Sequence, residues 1–134
     1  MTDCGREESV NSPRILVVDD SCTMRRIIVN TLNRIGYTDI TEASGARDAL
    51  NKLNEQSFDL VITDWIMPEI DGVTLTGIIR QSQAYHSVPI IMLTARSAAD
   101  DIVTAAKAGV SSYIIKPFTV AILREKIDQA LTGF

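Results

Sequence analysis

Arg14-Ile15-Leu16-Val17-Val18-Asp19-Asp20 is a short apolar run, rich in β-branched residues, that stops abruptly on two acids. A strand wetted on one face alternates apolar and polar residues. This one does not, so it reads as a strand covered on both faces, as in a parallel sheet. Similar runs occupy 58–63, 88–93 and 112–115, with a weaker one at 39–43. Between the runs the apolar period becomes helical. Met24, Ile27, Ile28, Leu32 and Ile35 share one face before a stop at Gly36. Ala46, Ala49, Leu50 and Leu53 form a second set. Leu75, Ile78 and Ile79 form a third, after Asp71-Gly72. Ile102, Val103 and Ala106 precede Gly109, and Val120, Leu123, Ile127, Ala130 and Leu131 close the series. Five strands alternating with five helices predict an α/β fold: a (βα)5 doubly wound parallel five-stranded sheet in a three-layer α/β/α, flavodoxin-like arrangement with right-handed crossovers.

The rest of the chain is consistent with one such domain. Its 134 residues suit a single core, placed here at 14–134 behind a flexible N-terminal leader at 1–13. With 13 Lys+Arg against 17 Asp+Glu, the net charge of −4 argues against nucleic acid as a partner, since that needs a basic footprint. No apolar stretch is long enough for a membrane span, and the polar start is no signal peptide. Cys4 and Cys22 make neither a disulfide framework nor a zinc site, so a reducing, cytoplasmic location is expected. Cys22 is expected to pack, His86 to be a solvated loop residue, and Trp65 to pack partly beside Asp64.

In doubly wound sheets, ligands bind beyond the carboxyl ends of the strands. The first strand ends in Asp19-Asp20, the third in Asp64, the fourth in Thr94-Ala95 and the fifth in Lys116-Pro117. An Asp after a strand, taken singly, is usually a turn former or a helix cap. The conjunction of all these strand ends reverses that expectation. Three acids on one rim repel one another unless a cation neutralises them or one is protonated. Oxygen-only ligands suit magnesium or manganese rather than zinc. A carboxylate-held metal beside a hydroxyl and an ammonium is equipment for phosphoryl transfer, with Asp64 as the candidate nucleophile.

These residues resemble the receiver domain of two-component response regulators. The likeness rests on Val17-Val18-Asp19-Asp20, on Asp64-Trp65-Ile66-Met67-Pro68-Glu69-Ile70-Asp71-Gly72, on Thr94-Ala95 and on Lys116-Pro117-Phe118, and it spans about Arg14 to Leu131. Within the family the chain looks most like the stand-alone, CheY-like chemotaxis regulators, through Ser21-Cys22-Thr23-Met24-Arg25-Arg26-Ile27 and Asp48-Ala49-Leu50-Asn51-Lys52-Leu53. The resemblance implies that Asp64 takes a phosphoryl group from a histidine kinase. It implies that Asp20, Asp64 and the carbonyl of Ile66 ligate magnesium, with Asp19 acting through water. Lys116 and Thr94 would contact the phosphoryl group, Tyr113 would move inward, and the Lys116-Pro117 peptide would be cis. Output would pass through a surface bearing Ile102, Ala106, Tyr113 and Lys126 to a partner such as a flagellar motor switch component, with a phosphatase as a further partner and a monomeric protein. A phosphate sink or relay receiver is the alternative.

Two positions depart from the pattern. Ile66 replaces a polar residue, so no side chain there can orient an attacking water. Arg96 replaces an acid. A phosphatase working through an aspartyl-phosphate would need a second acid where Ile66 stands, and a nucleotide binder would need glycines in the Asp19-Asp20-Ser21-Cys22 turn. A degenerate receiver would lack part of the set Asp19, Asp20, Asp64, Thr94 and Lys116. With few residues after Leu131, no output domain is expected to follow.

Overall fold

The structure is a computed structural model that describes residues 12–132. The leader expected at 1–13 therefore falls, apart from Ser12 and Pro13, outside the described residues. Strands β1 (Ile15–Val18), β2 (Ile40–Ala43), β3 (Leu60–Thr63), β4 (Ile90–Thr94) and β5 (Ser112–Ile115) alternate with helices α1 (Cys22–Ile35), α2 (Ala46–Glu55), α3 (Gly72–Arg80), α4 (Ala99–Ala108) and α5 (Val120–Thr132). The strands form one parallel sheet in the order β2-β1-β3-β4-β5. Strand order reverses at β1, which lies between β2 and β3. This is the (βα)5 three-layer architecture expected from the sequence.

Alternate strand residues feed two cores. Ile15, Val17, Leu60, Ile62, Ile91 and Leu93 face α1 and α5, packing on Ile28, Leu32, Leu123 and Ile127. Leu16, Val18, Val61 and Ile90 face α2 and α3, packing on Ala49, Leu53, Leu75 and Ile79. A smaller cluster of Trp65, Met92 and Ala105 seats α4 on the same side as α2 and α3. Burial on both faces explains the unbroken apolar runs. Phe58 and Val88, read as strand residues, precede β3 and β4 but are buried in the α2/α3 core.

The helix faces are narrower than the apolar pattern suggests. Ile27, Ile78 and Val103, expected to face inward, are exposed, and α4 buries Ala105 rather than Ala106. A helix laid on a sheet covers only the stripe nearest the strands, so residues one position off that stripe stay wet. Cys22, expected to pack, is exposed for a related reason: it opens α1, whose inward stripe begins at Met24.

Caps set where the helices start and stop. The Ser21 side chain accepts from the Met24 N–H, and that of Asp71 from the Thr74 N–H, opening α1 and α3. Gly109 ends α4 at φ 113°, in the region that favours glycine. The carbonyl of Gly109 accepts from Nε and Nη2 of Arg80, at 3.0 and 2.8 Å. Nη1 of Arg80 also donates to the carbonyls of His86 and Val88, at 2.7 and 2.6 Å. One half-buried guanidinium thus ties the end of α3, the loop before β4 and the end of α4 together. No helix among the described residues is long and apolar enough to cross a membrane.

Candidate functional site

The sheet register brings the strand ends level. Val18 pairs with both Ala43 and Thr63, and Thr94 pairs with Ile115. The ladder continues one residue further. The Asp64 N–H donates to the Val18 carbonyl, and the Lys116 N–H to that of Thr94. Asp19, Asp64 and Lys116 therefore leave the sheet at one height on three strands.

Their side chains meet. The Lys116 ammonium lies 3.4 Å from Oδ2 of Asp19 and 3.2 Å from Oδ2 of Asp64. Oδ1 of Asp19 accepts from the Ser21 N–H at 2.9 Å, and Oδ1 of Asp64 from the Trp65 N–H at 2.6 Å. Asp19 is 2% exposed. Its burial pushes the carboxyl pKa up. The Ser21 N–H and the Lys116 charge pull it back, and the Asp64 charge adds to the rise. The Lys116-Pro117 peptide is cis, as the resemblance implies.

The raised pKa has a consequence for stability. A carboxyl that holds its proton more tightly folded than unfolded contributes stability that is full below its ordinary value of 3.8. That contribution is lost as pH rises through the folded value. Ionised Asp19 is therefore under electrostatic strain at neutral pH. Asp19→Asn keeps an oxygen for the Ser21 N–H and removes the charge. Without metal it should melt higher than the parent at pH 7, with the gain vanishing below pH 3.8. Thermal unfolding in chelator across pH checks this, and a lower melting temperature at pH 7 would contradict it.

Asp20, next in the chain, is exposed. Among the described residues no three Asp, Glu, His or Cys side chains are grouped closely enough to hold a metal ion. The structure thus joins two of the expected acids through an ammonium, with the third on the rim beside them. The donor types are all oxygen, the chemistry a hard divalent cation prefers, but the Asp20 side chain would have to turn toward Asp19 and Asp64 to complete a ligand set. The Ile66 side chain is 60% exposed.

The remaining expected residues form a relay away from the acids. Thr94 is fully buried, and its Oγ1 accepts a long contact of 3.4 Å from the Arg96 N–H. The Tyr113 hydroxyl donates to the Arg96 carbonyl at 2.8 Å. The Arg96 guanidinium stacks 4.4 Å from the Trp65 ring centroid and makes a two-pronged bond to Asp101, at 3.2 and 3.0 Å. Trp65 is more buried than expected from the sequence. Ile102, Ala106 and Tyr113 line one cleft of about 150 Å³, while Lys126 is half-buried on α5 and is not part of that lining.

Three supporting residues escaped the sequence reading. Thr63 donates its hydroxyl to the Asp64 carbonyl at 2.8 Å. Gly72 packs against that same carbonyl. Arg25 bonds the Asp19 carbonyl. All three act on backbone atoms, which no side-chain motif announces. Gly72 and Arg25 lie within segments quoted for the resemblance, whereas Thr63 carried no such signal.

Comparison with known proteins places the chain among relatives of one kind. A chemotaxis protein CheY1 of Helicobacter pylori is 46% identical over 119 residues, covering 88% of this chain and 96% of that protein. A chemotaxis protein CheY homolog of Campylobacter jejuni is 45% identical, covering 88% and 92%. The receiver domain of the sensor histidine kinase PA1611 from Pseudomonas aeruginosa, solved with a magnesium ion coordinated in its active-site cleft, superposes with a TM-score of 0.82 at 29% identity, covering 90% and 98%. Residues 15–128 match the family described as the response regulator receiver domain, and it is to this family that the chain belongs.

Proposed function

We propose that this protein is a single-domain chemotaxis response regulator, a signalling protein that takes a phosphoryl group onto Asp64 from the phosphohistidine of a kinase. The observation that carries the reading is the Asp19–Lys116–Asp64 constellation at the switch point of the sheet. Two relatives named for chemotaxis, each matched over nearly its whole length, support that pathway. Residues 14–134 would form the receiver domain, with 1–13 as its leader, in the cytoplasm.

Asp64 attacks phosphorus through a carboxylate oxygen. The O–P bond forms as the P–N bond of the donor breaks, and the imidazole leaves with the electron pair. Lys116 already faces Oδ2 of Asp64 and needs little movement to meet a phosphoryl oxygen. Asp20, Asp64 and the Ile66 carbonyl would hold magnesium or manganese, with Asp19 supporting through water. When bound, that ion neutralises charge on the phosphoryl oxygens. Phosphorylation leaves about −1.5 to −2 charge on Asp64. Thr94 then turns toward it as a donor. Because Arg96 touches both Thr94 and Tyr113, the change reaches the Ile102, Ala106 and Tyr113 cleft that a flagellar motor switch component or other output protein would read.

The test follows Trp65 fluorescence while magnesium and then beryllofluoride or acetyl phosphate are added. The parent should respond to both, with the second response dependent on the first. Asp64→Asn should lose the beryllofluoride response entirely. Retention of that response in Asp64→Asn would overturn the assignment. Capture of a motor-switch peptide by the activated protein would separate motor output from a phosphate sink or relay.

A further inference from the structure

Arg25 stands in the first turn of α1, where a long cationic side chain ordinarily extends into water. Here it folds back, with only 16% of the side chain exposed. Its Nε donates to Oε1 of Glu42 at 2.9 Å, and its Nη1 donates to the main-chain carbonyl of Asp19 at 2.6 Å. Glu42 lies on β2, paired in register with Val17 of β1. The guanidinium therefore spans from the neighbouring strand to the peptide that joins Asp19 to Asp20. A planar fork holding two acceptors fixes their geometry in a way an ammonium cannot.

That peptide decides where the two acids point. Asp19 already has one oxygen held by the Ser21 N–H and the other facing Lys116. Among the described residues Asp20 has neither restraint, so the course of the backbone before it bears directly on its direction. We propose that Arg25, braced by Glu42, is a positioning residue for the divalent-cation site, orienting the Asp19–Asp20 turn through the Asp19 carbonyl. The inference rests on the reading of Asp20 and Asp64 as metal ligands. Residues that orient the ligands of a metal from behind commonly change its affinity by about 10-fold or more.

The charge of Arg25 makes the test sharp, because electrostatics and positioning predict opposite signs. A guanidinium near the site repels a divalent cation. If Arg25 were a mere neighbour, Arg25→Met would bind magnesium more tightly. If it merely stabilised the fold, the melting temperature would fall and the affinity would stay. Positioning predicts weaker binding despite the lost positive charge. Magnesium titration of the full chain, followed by Trp65 fluorescence, should give a dissociation constant raised about 10-fold in Arg25→Met. Arg25→Lys keeps the charge but cannot bridge both acceptors, and it should also bind more weakly. If Arg25→Met fails to fold, Arg25→Lys decides the matter. Equal or tighter binding in the folded variants would overturn the inference. A parent that gives no magnesium response would instead sink the reading of the site itself.

Discussion

Gly72→Ala should lower the stability of the protein by about 3 kcal/mol, near the upper end for overpacking a filled site. A Cβ at this position would overlap the Asp64 carbonyl oxygen, and would lie 3.0 Å from both the Asp64 carbonyl carbon and the Trp65 Cα. All of these are backbone atoms that cannot rotate away. The Gly72 N–H also donates to the Trp65 carbonyl at 2.7 Å, so α3 cannot back off without losing that bond. Helix propensity alone predicts the reverse, a gain of up to about 1 kcal/mol for Ala over Gly. The sign therefore decides between the two effects. Urea unfolding measures it, and a variant within about 1 kcal/mol of the parent would show that the loop yields. Because the strained carbonyl belongs to Asp64, the variant should also respond more weakly to magnesium and beryllofluoride.

Lys116→Met should have a comparable effect that depends on metal. The ammonium is the only cation bonded to the Asp19 and Asp64 side chains among the described residues. Removing it leaves two poorly solvated carboxylates facing each other. Breaking a buried pair costs about 3–5 kcal/mol, and the residual exposure of Asp64 puts this case near about 3 kcal/mol in chelator at neutral pH. A divalent cation can take the place of the lost charge, so magnesium should restore most of the loss and bind more tightly than in the parent. On the proposed reading, in which Lys116 meets the phosphoryl group, the variant should still fail to signal. Urea unfolding with and without magnesium checks both parts. Parent-like stability in chelator, unchanged by magnesium, would show that Lys116 does not hold the acids together.

The contrast between these two residues shows what a sequence displays. Lys116, Asp19 and Asp64 were legible because each follows an apolar run, and strand ends in a parallel sheet share one rim. The sheet was legible because strands buried on both faces have no polar residues to confuse the period. Gly72 and Thr63 were not identified because they act on the Asp64 carbonyl, and backbone contacts leave no pattern in side-chain chemistry. Ile27 and Val103 misled because hydrophobicity fixes a helix's apolar side but not how much of it the sheet covers. Ile27 instead lines a groove between α1 and the start of α5, together with Phe118 and Val120. Asp20 belonged to the right rim, yet its side chain is not drawn in with its neighbour's, because the Lys116 ammonium bonds only Asp19 and Asp64.

The two ends of α4 are fastened unequally. At its C-terminus the half-buried Arg80 grips the Gly109 carbonyl with two nitrogens while anchoring the preceding loop. At its N-terminus the tie is Arg96 to Asp101, a solvent-facing pair of the kind that contributes little stability. A rod held more firmly at one end than at the other would tilt more readily than it would slide. A displacement of this helix would then be angular, largest at Ala99 and smallest at Ala108.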